Sequence, residues 1–164
     1  MSALEIRADD ATDPRVVELL REHLAQAARH SPPGSVHALD VEGLRAPDVT
    51  FFAAWKGGEL AGVGALRELD PTHGELKSMR TADAFLRRGV ASRLLEHLLA
   101  TARARGYGRV SLETGGTDDF AAARALYARF GFEACAPFGS YVADGFSVCM
   151  TRPLDPGPVG DLSA

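Results

Sequence analysis

The sequence predicts an α/β (α+β) domain with a mixed central sheet of about six to seven strands and helices on both faces. Short β-rich runs alternate with segments of helical periodicity along most of the chain. An early hairpin is indicated by Gly57-Gly58, because both residues of this turn can adopt positive φ between two apolar runs. Later, a strand–helix–strand order requires a parallel neighbour, right-handed by default.

The first half of the chain predicts three strands and one long helix. A strand at residues 4–7 leads to a helix with Asp13 as N-cap and Pro14 at its first position. Residues 31–34 break that helix, and a second, short helix is expected within residues 36–44. Strands follow at 50–55 and 60–69, joined by the turn at 56–59. The apolar residues at helical spacing are Val16, Val17, Leu19, Leu20 and Leu24.

The second half predicts two more helices between strands. His73-Gly74 opens a strand at 75–81, and a loop leads to a helix that begins at or near Ala91 and ends at Gly106. A strand at 109–114 precedes a helix capped by Thr117 and ended by Gly131, with final strands near 132–136 and 146–152. The buried face of the first of these helices comprises Leu94, Leu95, Leu98, Leu99 and Ala102.

Composition places the chain among globular proteins of one domain. It has 164 residues, 46% hydrophobic and 24% charged, and a formal net charge of −4. This charge gives no global attraction for nucleic acid or an anionic membrane, so neither is an expected partner. We expect one domain at residues 1–154 and a flexible, Pro- and Gly-containing tail at residues 155–164.

Neither a signal peptide nor a membrane-spanning run is recognised, so a cytoplasmic location is expected. The two cysteines, Cys135 and Cys149, are in no CxxC pair and have no histidine cluster beside them. They are interpreted as half-buried thiols in strands of a reducing compartment, with a disulfide or metal role as the alternative. No metal site is expected.

The turn before the second long helix has the features of a pyrophosphate site. Helix starts leave backbone N–H groups unpaired and carry partial positive charge, and Gly89 and Ala91 allow an anion to approach closely. Arginines at a helix N-terminus oppose the macrodipole unless an anion lies between them. The alternative is an ordinary helix start with two solvated arginines, and the turn is not a P-loop. The turn comprises Arg87, Arg88, Gly89, Val90, Ala91 and Ser92.

Two motifs together resemble the GNAT superfamily of N-acetyltransferases. That family binds acetyl-CoA at a turn of form Gln/Arg-x-x-Gly-x-Gly/Ala, to which Gly89 and Ala91 correspond, although Leu86 departs at the first position. The family's Ala-x-x-Leu-Tyr-x-x-x-Gly-Phe helix is matched at every fixed position by residues 123–132. Phe120 stands where an Asn is often found. The resemblance covers residues 4–154.

This resemblance implies transfer of an acetyl group from acetyl-CoA to a primary amine of a small molecule, an amino acid among the candidates, by direct attack. Tyr127 matches the family's usual general acid, and its ordinary pKa of about 10 keeps it protonated at neutral pH. The alternative is a core tyrosine. The pantetheine arm would pair with the strand at Met79, Arg80 and Thr81, with an N–H near Met79 as donor to the thioester oxygen.

A general base is expected on the fourth strand. Glu75 and Lys77 alternate onto one face with Met79. Relatives often use a Glu of this strand, so Glu75 is the first candidate and Glu113 the second. The alternative for Glu75 is a surface or salt-bridged carboxylate paired with Lys77, and a free α-amine needs no dedicated base.

The acceptor is expected to contact the segment after the first helix and the last hairpin. His37 is favoured as a substrate contact, and Lys77 or Arg80 would bind an acceptor carboxylate. The flanking candidates are His30, Ser35, His37, Phe138 and Tyr141.

Two other functions fit the same fold. One is a protein or peptide acetyltransferase acting on lysine or an N-terminus, and the other is a non-catalytic acyl-CoA-binding domain. The presence of Tyr127 argues against the latter. The family resemblance also admits a homodimer, which the sequence does not decide.

Overall fold

The structure, a computed structural model, describes residues 3–155. The predicted flexible tail, residues 155–164, lies outside the described residues apart from Asp155. The strands are β1 (Leu4–Ala8), β2 (Val49–Lys56), β3 (Glu59–Asp70), β4 (His73–Thr81), β5 (Arg109–Gly115), β6 (Glu133–Cys135) and β7 (Ser147–Pro153). The helices are α1 (Pro14–His30), α2 (Val41–Leu44), α3 (Val90–Ala104) and α4 (Ala121–Arg129), with 3₁₀ turns at Pro33–Ser35, Asp83–Phe85 and Asp118–Phe120.

One mixed sheet contains all seven strands in the order β1-β2-β3-β4-β5-β7-β6. Every neighbouring pair is antiparallel except β4 and β5, which α3 joins as a parallel pair. The predicted fold class is therefore confirmed. None of the helices in residues 3–155 is long and apolar enough to span a membrane.

Local sequence signals account for most element boundaries. Asp13 accepts a hydrogen bond from the Arg15 amide at 2.9 Å, as an N-cap should. Gly57 and Gly58 adopt φ of 59° and 82°, which gives the predicted hairpin turn. One boundary prediction was wrong, because Thr117 makes no side-chain cap and begins a 3₁₀ turn, so that α4 starts only at Ala121.

Apolar side chains cover both faces of the sheet, as predicted. On one face, α3 buries its leucine stripe against Leu66, Leu76 and Leu112. On the other, α1 buries Val16, Leu19 and Leu20 against β2 and β3. Each fully buried Leu or Val contributes about 1.5–3 kcal/mol, so the two helices hold the sheet from both sides. The α3 stripe comprises Leu95, Leu98, Leu99 and Ala102.

The sheet opens between its two parallel strands. β4 and β5 pair from His73↔Arg109 only as far as Glu75↔Ser111. Beyond this point β4 continues to Thr81 along β3, and β5 continues to Gly115 along β7. The facing edges of the two strands are therefore unpaired, and a gap forms at their carboxyl ends.

A β-bulge in β4 lies beside this gap. Lys77 pairs with Ala65 and Arg80 with Val63, so two residues of β4 stand opposite Gly64. The first of them, Ser78, has φ of 56° in the left-handed region. A bulge of this kind inserts one extra residue and shifts the alternation of the strand.

The bulge overturns one expectation about the faces of β4. Glu75 and Lys77 share a face, but Met79 does not join them. A Cβ on Gly64 would lie 2.7 Å from Met79 Sδ and 3.1 Å from Leu98 Cδ1, so Met79 packs on the α3 side. The physical reason is the extra residue at Ser78, which reverses the side-chain direction after it.

Candidate active site

A cavity of about 160 Å³ occupies the gap between β4 and β5. Its walls come from both faces of the sheet, because the gap connects them. Tyr127 and Met79 contribute from the α3–α4 side, and Glu75, Lys77 and His37 contribute from the α1 side. Five residues predicted from different parts of the chain therefore meet at one cavity.

Tyr127 is held by the core on the α3–α4 side. Its side chain is 8% exposed, and its ring packs edge-on against Phe132 at 5.8 Å. Burial alone raises its pKa to about 12, and within residues 3–155 its hydroxyl has no hydrogen-bond partner. The hydroxyl therefore stays protonated at neutral pH and faces the cavity as a free donor.

A buried polar triad lies on the opposite side of the gap. Glu75 is 1% exposed, and its Oε2 accepts from the Tyr141 hydroxyl at 2.5 Å and lies 3.4 Å from Lys77 Nζ. Lys77 Nζ also donates to the Tyr141 hydroxyl at 2.8 Å. Burial and the neighbouring Glu75 carboxylate raise the pKa of Tyr141 well above its usual range. Tyr141 thus keeps its proton and links the carboxylate to the ammonium.

A second carboxyl group lies near the triad. Burial raises the pKa of Glu113, opposed by a hydrogen bond from Ser147 and by the charges of His37 and Lys77. Because directly paired residues project to the same face, Glu113 and its register partner Cys149 share the α1 face of β5 and β7, opposite Leu112. Glu113 therefore faces the cavity without the direct ion pair that Glu75 makes.

Two histidines complete this side. His37 meets the Tyr141 ring edge-on at 4.9 Å. His23 of α1 lines the cavity, and burial together with the Arg80 charge lowers its pKa to about 4. His23 is therefore neutral at physiological pH and adds no positive charge to the cavity.

The turn that precedes α3 has an unusual backbone. Arg87 and Gly89 both lie in the left-handed region, with φ of 63° and 80°, and Gly89 is the N-cap without a side-chain cap. The Arg88 guanidinium stands 5.6 Å over the Phe85 ring, which belongs to a 3₁₀ turn that the sequence did not predict. The first-turn amides of Val90, Ala91 and Ser92 have no partner four residues earlier within the helix.

This turn fits a phosphate-bearing ligand. It is exposed, it combines free helix amides with two cations, and the φ of Gly89 is one that few side chains tolerate. Its residues lie outside the lining of the central cavity. The turn and the gap are therefore two separate parts of the structure.

The free edge of β4 connects these parts. Met79, Arg80 and Thr81 follow the last β4–β5 pair, and the bulge leaves Ser78 and Met79 without register partners on β3. Within the described residues, Ser78 Oγ and Arg80 Nε are buried and have no hydrogen-bond partner. Unsatisfied buried groups at a strand edge fit a polar ligand that lies along it.

Sequence reasoning missed three features of this site. Ser78 gave no sign of a left-handed conformation, since serine is an ordinary strand residue, and His23 looked like one more member of an amphipathic helix. The sequence places Tyr141 among the flanking candidates and does not distinguish it from the others. Only its contact with Glu75 and Lys77, 66 and 64 residues away in sequence, shows that it belongs to the site.

Comparison with known proteins agrees with this geometry. Residues 12–132 match the family model described as the acetyltransferase (GNAT) family. An uncharacterized N-acetyltransferase, YsnE of Bacillus subtilis, is 52% identical over 92% of this chain and 100% of its own length.

Solved structures share the fold. That of a putative acyl-CoA N-acyltransferase from Klebsiella pneumoniae has a TM-score of 0.74 at 28% identity, over 94% of this chain and 99% of the other. A GNAT family acetyltransferase from Elizabethkingia anophelis, solved with acetyl-CoA bound, has a TM-score of 0.66 at 17% identity, over 92% and 98% of the two chains. Taken with the gap and the turn, these findings show that the chain belongs to the GNAT family and is an acetyltransferase that uses an acyl-CoA.

Proposed function

We propose that this enzyme transfers an acetyl group from acetyl-CoA to a primary amine of a small molecule. The observation that carries the proposal is the cavity between β4 and β5, which places Tyr127 on one side of the sheet and two carboxyl groups on the other. An acyl-CoA supplies an acyl group on a thioester, which an amine attacks with loss of a thiolate. The residues of the chain must then bind and orient the two substrates. They must also give a proton to the thiolate on one side of the sheet and take a proton from the amine on the other.

Tyr127 is the acid of this proposal. Its hydroxyl is protonated, faces the cavity and has no competing partner in the described residues. It can therefore give its proton to a thiolate that forms at the α4 side of the gap. Tyr127 would give its proton to the sulfur as the carbon–sulfur bond breaks, so that CoA leaves as the free thiol. The tyrosinate that remains would take a proton from solvent, which its high pKa favours.

A carboxylate on the other side takes the proton that the amine loses. Glu75 remains our first candidate, although Tyr141 and Lys77 already engage its Oε2. Glu113 is the second candidate, and its raised pKa brings it closer to that of an effective base at neutral pH. The two carboxylates also attract an incoming ammonium group, because the positive charge of Lys77 neutralises only one of the two negative charges.

The backbone provides the remaining contacts. We assign the amides of Gly89, Val90, Ala91 and Ser92 to the cofactor's phosphates, with Arg87 and Arg88 as flanking cations. Met79, Arg80 and Thr81 would align the cofactor's arm along the free edge of β4. In the bulge, the Met79 amide is the proposed donor to the thioester oxygen.

The structure favours a small acceptor over a protein. On the α1 side the cavity is lined by residue 31, residues 35–38 and Tyr141, and its volume of about 160 Å³ suits a small acceptor better than an extended peptide. Lys77 is tied to Glu75 and Tyr141, so its predicted contact with an acceptor carboxylate would require it to exchange partners. His37 lines the cavity and stays a proposed substrate contact.

Thiol release tests the proposal. Purified protein would be given acetyl-CoA with short alkylamines, polyamines, amino acids, aminoglycosides or lysine-containing peptides, and free CoA would be followed by a thiol reagent. Turnover with small amines is expected. Turnover with peptides alone would point to a protein acetyltransferase, and tight acetyl-CoA binding without release from any amine would point to a non-catalytic binding domain.

A further inference from the structure

The loop between β6 and β7, residues 136–146, folds over the α1 side of the cavity. Asp144 of this loop accepts a hydrogen bond from Ser35 Oγ, which belongs to the segment after α1. Asp144 also accepts from the amides of Phe146 and Ser147 at 3.0 and 2.7 Å, which fix its position at the start of β7. The two segments are therefore joined into one wall over the gap.

From the β6–β7 loop, Tyr141 lines the cavity. Its hydroxyl reaches Glu75 and Lys77 on β4, and its ring meets His37 and Phe138 edge-on at 4.9 and 5.0 Å. The ring is thus fixed at its tip by hydrogen bonds and along its sides by two aromatic contacts. A side chain held in this way acts as a rigid boundary.

The space in front of Tyr141 is small. Drug-sized ligands occupy pockets of about 300–1,000 Å³, whereas this cavity has about 160 Å³. The same cavity extends to Tyr127, where the acyl end must also fit, so the acceptor has only part of this volume.

We infer that Tyr141 determines acceptor length, because its fixed ring forms one wall of the cavity that takes the acceptor and restricts the enzyme to short primary amines. This inference rests on the proposed function. The charged groups that face the acceptor are Glu75, Glu113 and Lys77, with His23 neutral. Their excess negative charge draws in an ammonium head, and Tyr141 limits the carbon chain behind it.

The test is a chain-length series. The wild type, Tyr141→Ala and Tyr141→Phe would each be assayed with acetyl-CoA and unbranched amines from methylamine to octylamine. For the wild type, kcat/KM should fall steeply once the chain reaches Tyr141. One methylene at a pocket boundary changes kcat/KM by about 10–200-fold, so Tyr141→Ala should raise that value for the first excluded amine by about tenfold or more.

Tyr141→Phe separates the ring from the hydroxyl. It keeps the boundary and should keep the wild-type length limit, even though its loss of contact with Glu75 and Lys77 lowers kcat. The matched control is Val142→Ala in the same loop. Val142 is 73% exposed and should leave the whole profile unchanged. Acetyl-CoA affinity by calorimetry would show that each variant is folded.

Two results would overturn the inference while leaving the proposed function intact. Tyr141→Ala could turn over amines with the wild-type length profile, or Tyr141→Phe could shift the limit as far as Tyr141→Ala does. Absence of turnover with every amine, despite acetyl-CoA binding, would instead overturn the proposed function and this inference together.

Discussion

Replacing Tyr127 by Phe removes the proposed acid and almost nothing else. The ring packs against Phe132 at 5.8 Å, and this contact survives the substitution. The hydroxyl has no hydrogen-bond partner in the described part of the chain, so its loss leaves no protein group unsatisfied. We therefore expect the free energy of unfolding to change by no more than about 0.5 kcal/mol.

Turnover should respond very differently. A positioned general acid contributes about 10²–10⁴-fold, and even the lower limit corresponds to about 2.7 kcal/mol in the barrier. Tyr127→Phe should therefore lower kcat by at least about 100-fold. Acetyl-CoA affinity should stay within about twofold, because the turn proposed to bind the cofactor's phosphates lies on a different element.

The pH profile adds a second criterion. With a pKa raised to about 12, Tyr127 remains protonated far above neutrality, so it should cause no alkaline fall in turnover below about pH 11. Its proton is held more tightly in the folded state than at the ordinary value of about 10. The associated stability is complete below about pH 10 and is lost as pH rises through about 12.

Tyr107→Phe is the matched control. Tyr107 is also a buried tyrosine of this core, but its hydroxyl donates to Glu68 at 2.7 Å, away from the cavity. Its loss should cost about 1 kcal/mol of stability and leave kcat near the wild-type value. Both variants would be assayed for thiol release and for urea unfolding. Wild-type turnover by a folded Tyr127→Phe enzyme would refute the acid role.

Three further predictions concern the turn, the pH dependence and the core. Gly89→Ala should weaken acetyl-CoA binding by about tenfold in calorimetry. The control Gly58→Ala, at a similar positive φ, should cost only about 1–2 kcal/mol of stability. Equal acetyl-CoA affinities of the two variants would contradict this prediction. Because the pKa of His23 is lowered to about 4, its stabilising contribution is complete above about pH 6.5 and lost as pH falls through about 4. His23→Leu should flatten that loss in unfolding measurements, and an unchanged slope would argue against it. Gly74→Ala would put a Cβ 2.8 Å from the Tyr107 ring, so the free energy of unfolding in urea should fall by about 1–3 kcal/mol. An unaltered urea midpoint would show that the ring can move.

The fold was predictable because its signals are local. Asp13, the Gly57-Gly58 pair and Gly106 each act within a few residues, and hydrophobic periodicity identifies the helix faces on its own. The gap between β4 and β5 was not predictable. It depends on where two strands that are far apart in sequence stop pairing, and Glu75 and Ser111 carry no mark of being the last pair.

The site was predictable to the extent that it follows motifs. Tyr127 and the turn at Gly89 lie in recognisable patterns, and the structure brings Glu75, Lys77 and His37 to one cavity. The prediction that Met79 shares a face with Glu75 and Lys77 was wrong, because it assumed that side chains alternate between the two faces along the whole of β4. Ser78 inserts one residue into β4, and no local sequence rule requires serine to adopt a left-handed conformation there.

The wall formed by residues 31–38 and 136–146 has a consequence for how such enzymes diverge. It contributes no strand to the sheet and no residue to the turn that begins α3. Substitutions and insertions in these two segments can therefore reshape the acceptor side while the donor side keeps its geometry. The hydrogen bond between Ser35 and Asp144 joins the two segments, so a change in one of them is expected to move the other.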